Sequence, residues 1–248
     1  MEPAEIQKLD EMTERHWWYR SRLKLVRAMI QRRAGASRIT RALEIGCGCG
    51  GNMVGLADLA ENIAGLDLSA DCLDRCRARG IGDIAQADAA ALPFPDGAFD
   101  AAFMLDVLEH FEDETPSLLE ARRVLSDKGV LYVTVPALQG LWSVHDEAFH
   151  HKRRYSSDGL RTLIQNAGFR VETITYWSSL PLLPVFIQRK LRSARGNTSA
   201  LSDFHLPQPW PLPQIFAGMQ ALERSMIIGA GLRPPAGVSL FACATVRK

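Results

Sequence analysis

The stretch Leu43–Gly51 reads LEIGCGCGG, an acid (Glu44) followed by glycines at 46, 48, 50 and 51, with Cys47 and Cys49 between them. A turn this bare serves a ligand that needs close backbone approach, because glycine carries no Cβ and tolerates positive φ. Three more acids stand where short apolar runs end: Asp67 after NIAGL, Asp88 after IAQA and Asp106 after AAFML. Carboxylates in such places accept hydrogen bonds from hydroxyl and amine donors. A second group lies downstream in WSVHDEAFHHKRRY, which holds His145, Asp146, His150, His151, Arg153, Arg154 and Tyr155, and His110 follows Asp106 in LDVLEH. An imidazole held by a carboxylate can take a proton from a hydroxyl or amine, which makes His145 with Asp146 and His150 the first candidates for a general base and His110 the second. Glu109, beside His110, reads as structural. His151, Arg153, Arg154 and Tyr155 suit a clamp on an anionic acceptor.

The glycine turn admits three chemistries. Gly46-x-Gly48-x-x-Gly51, with Asp67 about 20 residues on, fits a dinucleotide-binding turn and keeps an NAD-dependent oxidoreductase open. Glu44 opposes it: a carboxylate two residues before the first glycine repels a pyrophosphate and favours a ligand with a cationic amine and sulfonium. Cys47, Cys49, Cys72 and Cys76 lack the spacing of paired zinc ligands and read as small packing residues. His145, Asp146 and His150 are metal-ligand types at short spacing, but no metal is expected from the sequence.

These residues need elements to hold them at one edge. Residues 5–33 read as one or two helices. Strands follow at RALEI, NIAGLDL, DIAQAD, AAFMLD, GVLYVTVP, RVETITYW and GVSLFACATVRK, separated by helices at GNMVGLADLA, SADCLDRCRAR, DETPSLLEARRVL and SSDGLRTLIQNAGF. This alternation predicts an α/β chain with a doubly wound, seven-stranded, mainly parallel sheet. Ligands of such sheets lie beyond the carboxyl ends of the strands, so Gly46, Asp67, Asp88 and Asp106 should face one crevice.

In this order the pieces resemble the class I S-adenosylmethionine-dependent methyltransferases. LEIGCGCG is similar to their first motif, LPFPDGAFD to a segment shared by many of their small-molecule enzymes, and LDVLEH and LSDKGVLYVTVP to the segments around their fourth and fifth strands. The resemblance spans roughly residues 41–176 and the last strand. It implies that S-adenosylmethionine is the cofactor, that Asp67 binds ribose hydroxyls and that Asp88 reads the adenine amine. Glu44, Gly46, Gly48, Leu68, Ala89, Asp106 and Val107 would line the same crevice, and Tyr19 and Arg22 of an N-terminal helix would reach the cofactor carboxylate. The stretch around His145 is loosely similar to a bacterial branch found among envelope-sugar genes.

Four segments are expected: an N-terminal helical lid (1–40), a cofactor-binding core (41–179), a helical insert (180–236) and the last core strand (237–248). In the insert, Ile215, Phe216, Met219, Leu222 and Met226 recur at helical spacing and predict one apolar face, whereas ARGNTSALSD reads as a flexible loop. The insert suits a substrate lid, with a homodimer contact or a basic-flanked membrane-surface helix as less favoured uses. The chain has 248 residues, 47% of them hydrophobic and 23% charged, with net charge +1, a balance that gives no drive toward nucleic acid. Five scattered cysteines and a charged N-terminal stretch lead to the expectation of a reduced, cytoplasmic chain. The expected acceptor is a small polar or anionic molecule methylated on oxygen or nitrogen. A binding protein that holds S-adenosylmethionine without catalysis, and an enzyme acting on a lipid-linked substrate, are the alternatives.

Overall fold

The computed structural model describes residues 10–11, 16–35, 37–194 and 211–247. Helix α1 (Trp17–Ala34) is followed by β1 (Ile39–Ile45), α2 (Gly51–Leu56), β2 (Ala60–Asp67), α3 (Ala70–Ala78), β3 (Ile84–Gln86), β4 (Phe99–Leu105), α4 (Thr115–Val124) and β5 (Leu125–Pro136). The short α5 (Val144–Ala148), α6 (Ser157–Asn166) and β6 (Phe169–Trp177) follow, then α7 (Leu182–Ala194), α8 (Leu212–Gly229) and β7 (Ser239–Val246). All seven strands expected from the sequence form one sheet in the order β3-β2-β1-β4-β5-β7-β6, parallel except that β7 runs antiparallel to both β5 and β6. The order reverses between β1 and β4, which sit side by side while the chain leaves β1 toward β2 and leaves β4 toward β5. A crevice opens at such a switch point.

Alternation along β1 decides which residues meet the crevice. Leu43 and Ile45 join the core on the face covered by α4 and α6, together with Leu66, Met104, Val133, Leu160 and Ile164. Ala42 joins the opposite core, built from Leu25, Val26 and Ile30 of α1, Phe103, Tyr132, Trp177, Phe241 and Ile227 of α8. Glu44 has the parity of Ala42, so it points toward α1 rather than into solvent. Full burial of each such aliphatic or aromatic side chain contributes about 1.5–3 kcal/mol, and this is what fastens α1 over the sheet.

The insert helix α8 lies alongside α1. Arg32 Nη1 donates to the carbonyls of Ile227 (3.0 Å) and Ile228 (2.8 Å), and Trp17 stacks on Phe216 with centroids 5.1 Å apart. The expected apolar face of α8 is partly reversed. Gln220, Glu223 and Ile227 are the buried positions, while Ile215 and Leu222 are exposed. The reason is a loop whose polar groups need partners: Glu223 takes the N–H groups of Ser179 and Leu180, and Gln220 Nε2 donates to Ser178 Oγ. Satisfying buried backbone donors outweighs burying two leucine-sized side chains at the surface. The expected flexible loop ARGNTSALSD falls almost wholly outside the described residues.

Candidate active site

The turn after β1 forms as the glycines predict. Gly46, Gly48 and Gly50 adopt φ of 75°, 52° and 81°, and a Cβ on Gly46 would lie 2.5 Å from Val107 Cγ2. That contact brings the turn after β1 against the turn after β4. The N–H groups of Gly46 and Cys47 both donate to Leu66 O at 2.9 Å, which fixes the turn on β2. Asp67, at the end of β2, accepts from Gly48 N through Oδ2 (2.8 Å) and from Ser69 N through Oδ1 (2.9 Å). Asp88 accepts from Ala90 N at 2.9 Å and is exposed, with Ala89 buried behind it. Leu68 is 70% exposed at the rim between these two acids, where an apolar ligand surface has room to sit.

A second chain of contacts crosses the crevice from α1. Arg22 is buried and pairs with Asp106 Oδ2, and its Nη2 donates to Asn52 Oδ1 at 2.9 Å. Asn52 Nδ2 in turn donates to Glu44 Oε1 at 2.7 Å. Asp106 is held on its other side by Thr134 Oγ1 (3.0 Å) and sits at φ 57°, a left-handed conformation that a short polar residue tolerates. The Arg22 guanidinium lies 5.2 Å from the centre of the Tyr19 ring and 5.5 Å from that of Trp18. Burial pushes the Tyr19 phenol up, so that it stays neutral. The expected Tyr19, Arg22, Glu44, Asp106 and Val107 thus converge, and Arg22 meets its charge in Asp106.

Glu44 is 0% exposed, and its Oε2 has no hydrogen-bond partner. Burial raises its carboxyl to about 8, against the opposing pull of the Asn52 hydrogen bond and of Arg22. A buried acid with one oxygen unspent, beside a glycine turn, fits a ligand that brings a cation or an N–H donor and does not fit a pyrophosphate. Sequence reasoning missed Asn52 and Thr134. Asn52 had a signal, its place in the first turn of the helix after the glycines, whereas the contact of Thr134 with Asp106 exists only through strand pairing.

Beyond β4 and β5 lies the histidine group. A single 3-10 turn, Leu108–His110, carries Glu109 and His110, and α5 carries His145 and Asp146. Asp146 does not serve His145 as expected. Its Oδ1 accepts from Arg154 Nε (2.8 Å) and faces His151 Nδ1 (3.1 Å), and its Oδ2 closes a capping box with Ser143 N (3.0 Å). His110 and His151 meet edge to face with centroids 5.0 Å apart, and His145 stands 6.1 Å from His151. His150 is exposed, at φ 56°. Arg153 pairs with Glu114 Oε2 (2.9 Å), and Tyr155 Oη donates to Glu114 Oε1 (2.7 Å). Arg153, Arg154 and Tyr155 therefore direct charge and hydrogen bonds onto Glu114 and Asp146, and of the expected anion clamp His151 keeps the place nearest His110. The four clustered cysteines are buried packing, Cys47 and Cys76 with Met53 and Leu73, and Cys49 with Cys72.

Residues 43–133 match the family model of a methyltransferase domain. Over this span the chain is similar to S-adenosylmethionine-dependent methyltransferases. A protein of Mycolicibacterium smegmatis named "Probable S-adenosylmethionine-dependent methyltransferase" is 31% identical over 164 residues, covering 65% of this chain and 62% of its own. The match therefore spans less than two thirds of that relative's length. A malonyl-[acyl-carrier protein] O-methyltransferase of Enterobacter lignolyticus is 29% identical over 67% of this chain and 68% of its own. The fold is shared with a SAM-dependent methyltransferase of Thermotoga maritima, at a TM-score of 0.64 and 20% identity, over 98% of this chain and 96% of that one. The Mycolicibacterium relative is named for S-adenosylmethionine, and the unspent Glu44 oxygen and the glycine turn of this chain fit that cofactor.

Proposed function

We propose that this chain transfers a methyl group from S-adenosylmethionine to an oxygen or nitrogen of a small polar or anionic acceptor. The observation that carries this reading is the juxtaposition of Glu44, buried with one oxygen unspent at the glycine turn, with the histidine group beyond the ends of β4 and β5. When bound, S-adenosylmethionine supplies an electrophilic methyl on a sulfonium sulfur. The residues of the chain do the rest. Glu44 holds the amino-acid end, Asp67 and Asp88 accept from hydroxyl and amine donors, and Leu68 and Ala89 give the base an apolar surface. His110 and His151 orient the acceptor, and His145 takes its proton. Holding two reactants in line can supply about 7–11 kcal/mol of the barrier. The Enterobacter relative is named an O-methyltransferase, which favours oxygen over nitrogen.

Titration of the purified protein with S-adenosylmethionine and, separately, with NAD tests the cofactor. Tight NAD binding with no response to S-adenosylmethionine overturns the reading in favour of an oxidoreductase. A screen of acceptors that follows release of S-adenosylhomocysteine then separates an enzyme from a protein that binds the cofactor without turnover.

A second reading, an acceptor presented at a lipid surface, is favoured by α7. Leu183, Phe186, Ile187 and Leu191 are exposed at helical spacing, and Lys190 is exposed beside them. No helix among the described residues is long and apolar enough to cross a membrane, so such contact would be interfacial.

A further inference from the structure

Glu109 is 0% exposed, and neither of its carboxylate oxygens has a hydrogen-bond partner. A buried carboxylate without donors is strongly unfavourable unless it is neutralised or met by a cation. The nearby arginines are committed elsewhere, Arg22 to Asp106 and Arg154 to Asp146. The groups actually placed against Glu109 are imidazoles. One ligand atom each from Glu109, His110 and His151 lies within 4.8 Å of the other two.

Three features hold this arrangement. Glu109 and His110 are fixed on one 3-10 turn at the end of β4. The loop carrying His151 is tied to that turn by Lys152 N donating to Glu109 O at 2.7 Å. Asp146 faces His151 Nδ1 at 3.1 Å, which fixes the ring and leaves Nε2 as its lone-pair nitrogen. Asp146 is itself held as a carboxylate by Arg154 and Arg189. A carboxylate behind an imidazole is the support that metal-binding histidines ordinarily have.

We propose that Glu109, His110 and His151 bind one divalent transition-metal ion. Two imidazoles and one carboxylate suit Zn²⁺, Co²⁺, Mn²⁺ or Fe²⁺ better than Ca²⁺ or Mg²⁺, which prefer all-oxygen sets. Three protein ligands leave coordination positions open, as at sites that bind substrate rather than purely structural ones. The set differs from the one that sequence spacing suggests, His145, Asp146 and His150, because Asp146 is spent on two arginines, a helix cap and the back of His151. The role of the ion in catalysis rests on the methyltransferase reading: an acceptor oxygen bound to it is held in place and its hydroxyl proton loosened. Binding of the ion does not rest on that reading.

The full chain, stripped with EDTA and dialysed, is titrated with Co²⁺ followed by its visible absorption and with Zn²⁺ by calorimetry. One ion per chain is expected, with loss of binding in the His110→Ala/His151→Ala double variant and in Glu109→Gln, and roughly 10–100-fold weaker binding in Asp146→Asn. Circular dichroism of each variant confirms that it is folded. Absence of saturable binding to the folded wild-type chain, or undiminished binding to the folded double variant, overturns the proposal. S-adenosylmethionine titrated into the same samples keeps the two readings apart: cofactor binding without metal sinks only the metal site, and metal binding without cofactor sinks only the methyltransferase reading.

Discussion

Asp146 Oδ1 lies 3.1 Å from His151 Nδ1, five residues along the chain, while the imidazole of its neighbour His145 packs instead against Phe149. The cause is local. Asp146 is the third residue of α5 and closes its capping box, which turns the carboxylate inward toward Arg154, Arg189 and the returning loop. One buried acid thus caps a helix, compensates two arginines and orients one histidine.

Asp146→Asn should therefore damage both stability and turnover. Removing one partner of a buried ion pair leaves the other charge uncompensated, at about 3–5 kcal/mol. Denaturant titration should show a loss of that size. Turnover should fall by roughly 10–100-fold beyond the loss of folded protein, the usual consequence of releasing an oriented histidine. Affinity for S-adenosylmethionine should be unchanged, because Asp146 is not part of the Glu44–Asp67 side of the crevice. Full turnover in the folded Asn variant would remove the Asp146–His151 contact from the mechanism.

Asp67→Ala should act in the opposite way. The carboxylate is held by Gly48 N and Ser69 N and has lone pairs left for a ligand hydroxyl. Hydrogen bonds to a charged group contribute about 1.5–3 kcal/mol, so cofactor affinity should fall by about 10- to 150-fold in calorimetry. The melting temperature of the ligand-free variant should change little by comparison. Wild-type affinity in the variant would mean that Asp67 serves only the turn.

The fold and the glycine turn with the acids at its strand ends were legible because they depend on local signals. Glycines 46, 48 and 50 carry positive φ, strand ends carry acids, and apolar runs alternate with amphipathic helices. The acceptor side was less legible because its partners are distant in sequence. Glu114 holds Arg153 and Tyr155 from about 40 positions away, and no local pattern marks it. Adjacency paired Asp146 with His145, whereas a short helix and its cap paired it with His151. The inner face of α8 was misread for a related reason: apolar periodicity says nothing about loop amides that require Glu223 as acceptor, or about a loop hydroxyl that accepts from Gln220.

If the acceptor is presented at a lipid surface, the apolar row on α7 is where contact occurs. Leu183 is 65% exposed and Leu191 is 51% exposed. Leu183→Ser/Leu191→Ser should shift folding stability by no more than about 0.5 kcal/mol per site, as for other surface substitutions. Co-sedimentation with vesicles containing anionic lipid should be strong for wild type and weak for this double variant. No sedimentation of the wild-type chain would end the lipid-surface reading and leave the soluble-acceptor reading intact.

Glu44 should make cofactor affinity depend on pH. Its folded carboxyl titrates near 8, raised by burial, whereas in an unfolded chain it titrates near its ordinary value of about 4.3. Between those values the folded protein holds a proton that the unfolded chain has lost. The contribution of this group to stability is thus fully present below about pH 4.3 and is lost as pH rises toward 8, by at most about 1.4 kcal/mol per unit. A cationic ligand reverses the preference at the site, because it stabilises the ionised carboxylate, so binding S-adenosylmethionine should release a proton below pH 8. Affinity should then strengthen as pH rises from 6.5 to 8, levelling off above that point. Calorimetry in two buffers of different ionisation enthalpy measures the released proton directly. Glu44→Gln should abolish both the proton release and the pH slope, bind the cofactor more weakly at pH 8, and flatten the pH dependence of stability. A wild-type affinity that is flat across this range and matched by the Gln variant would show that the cofactor cation lies elsewhere in the crevice.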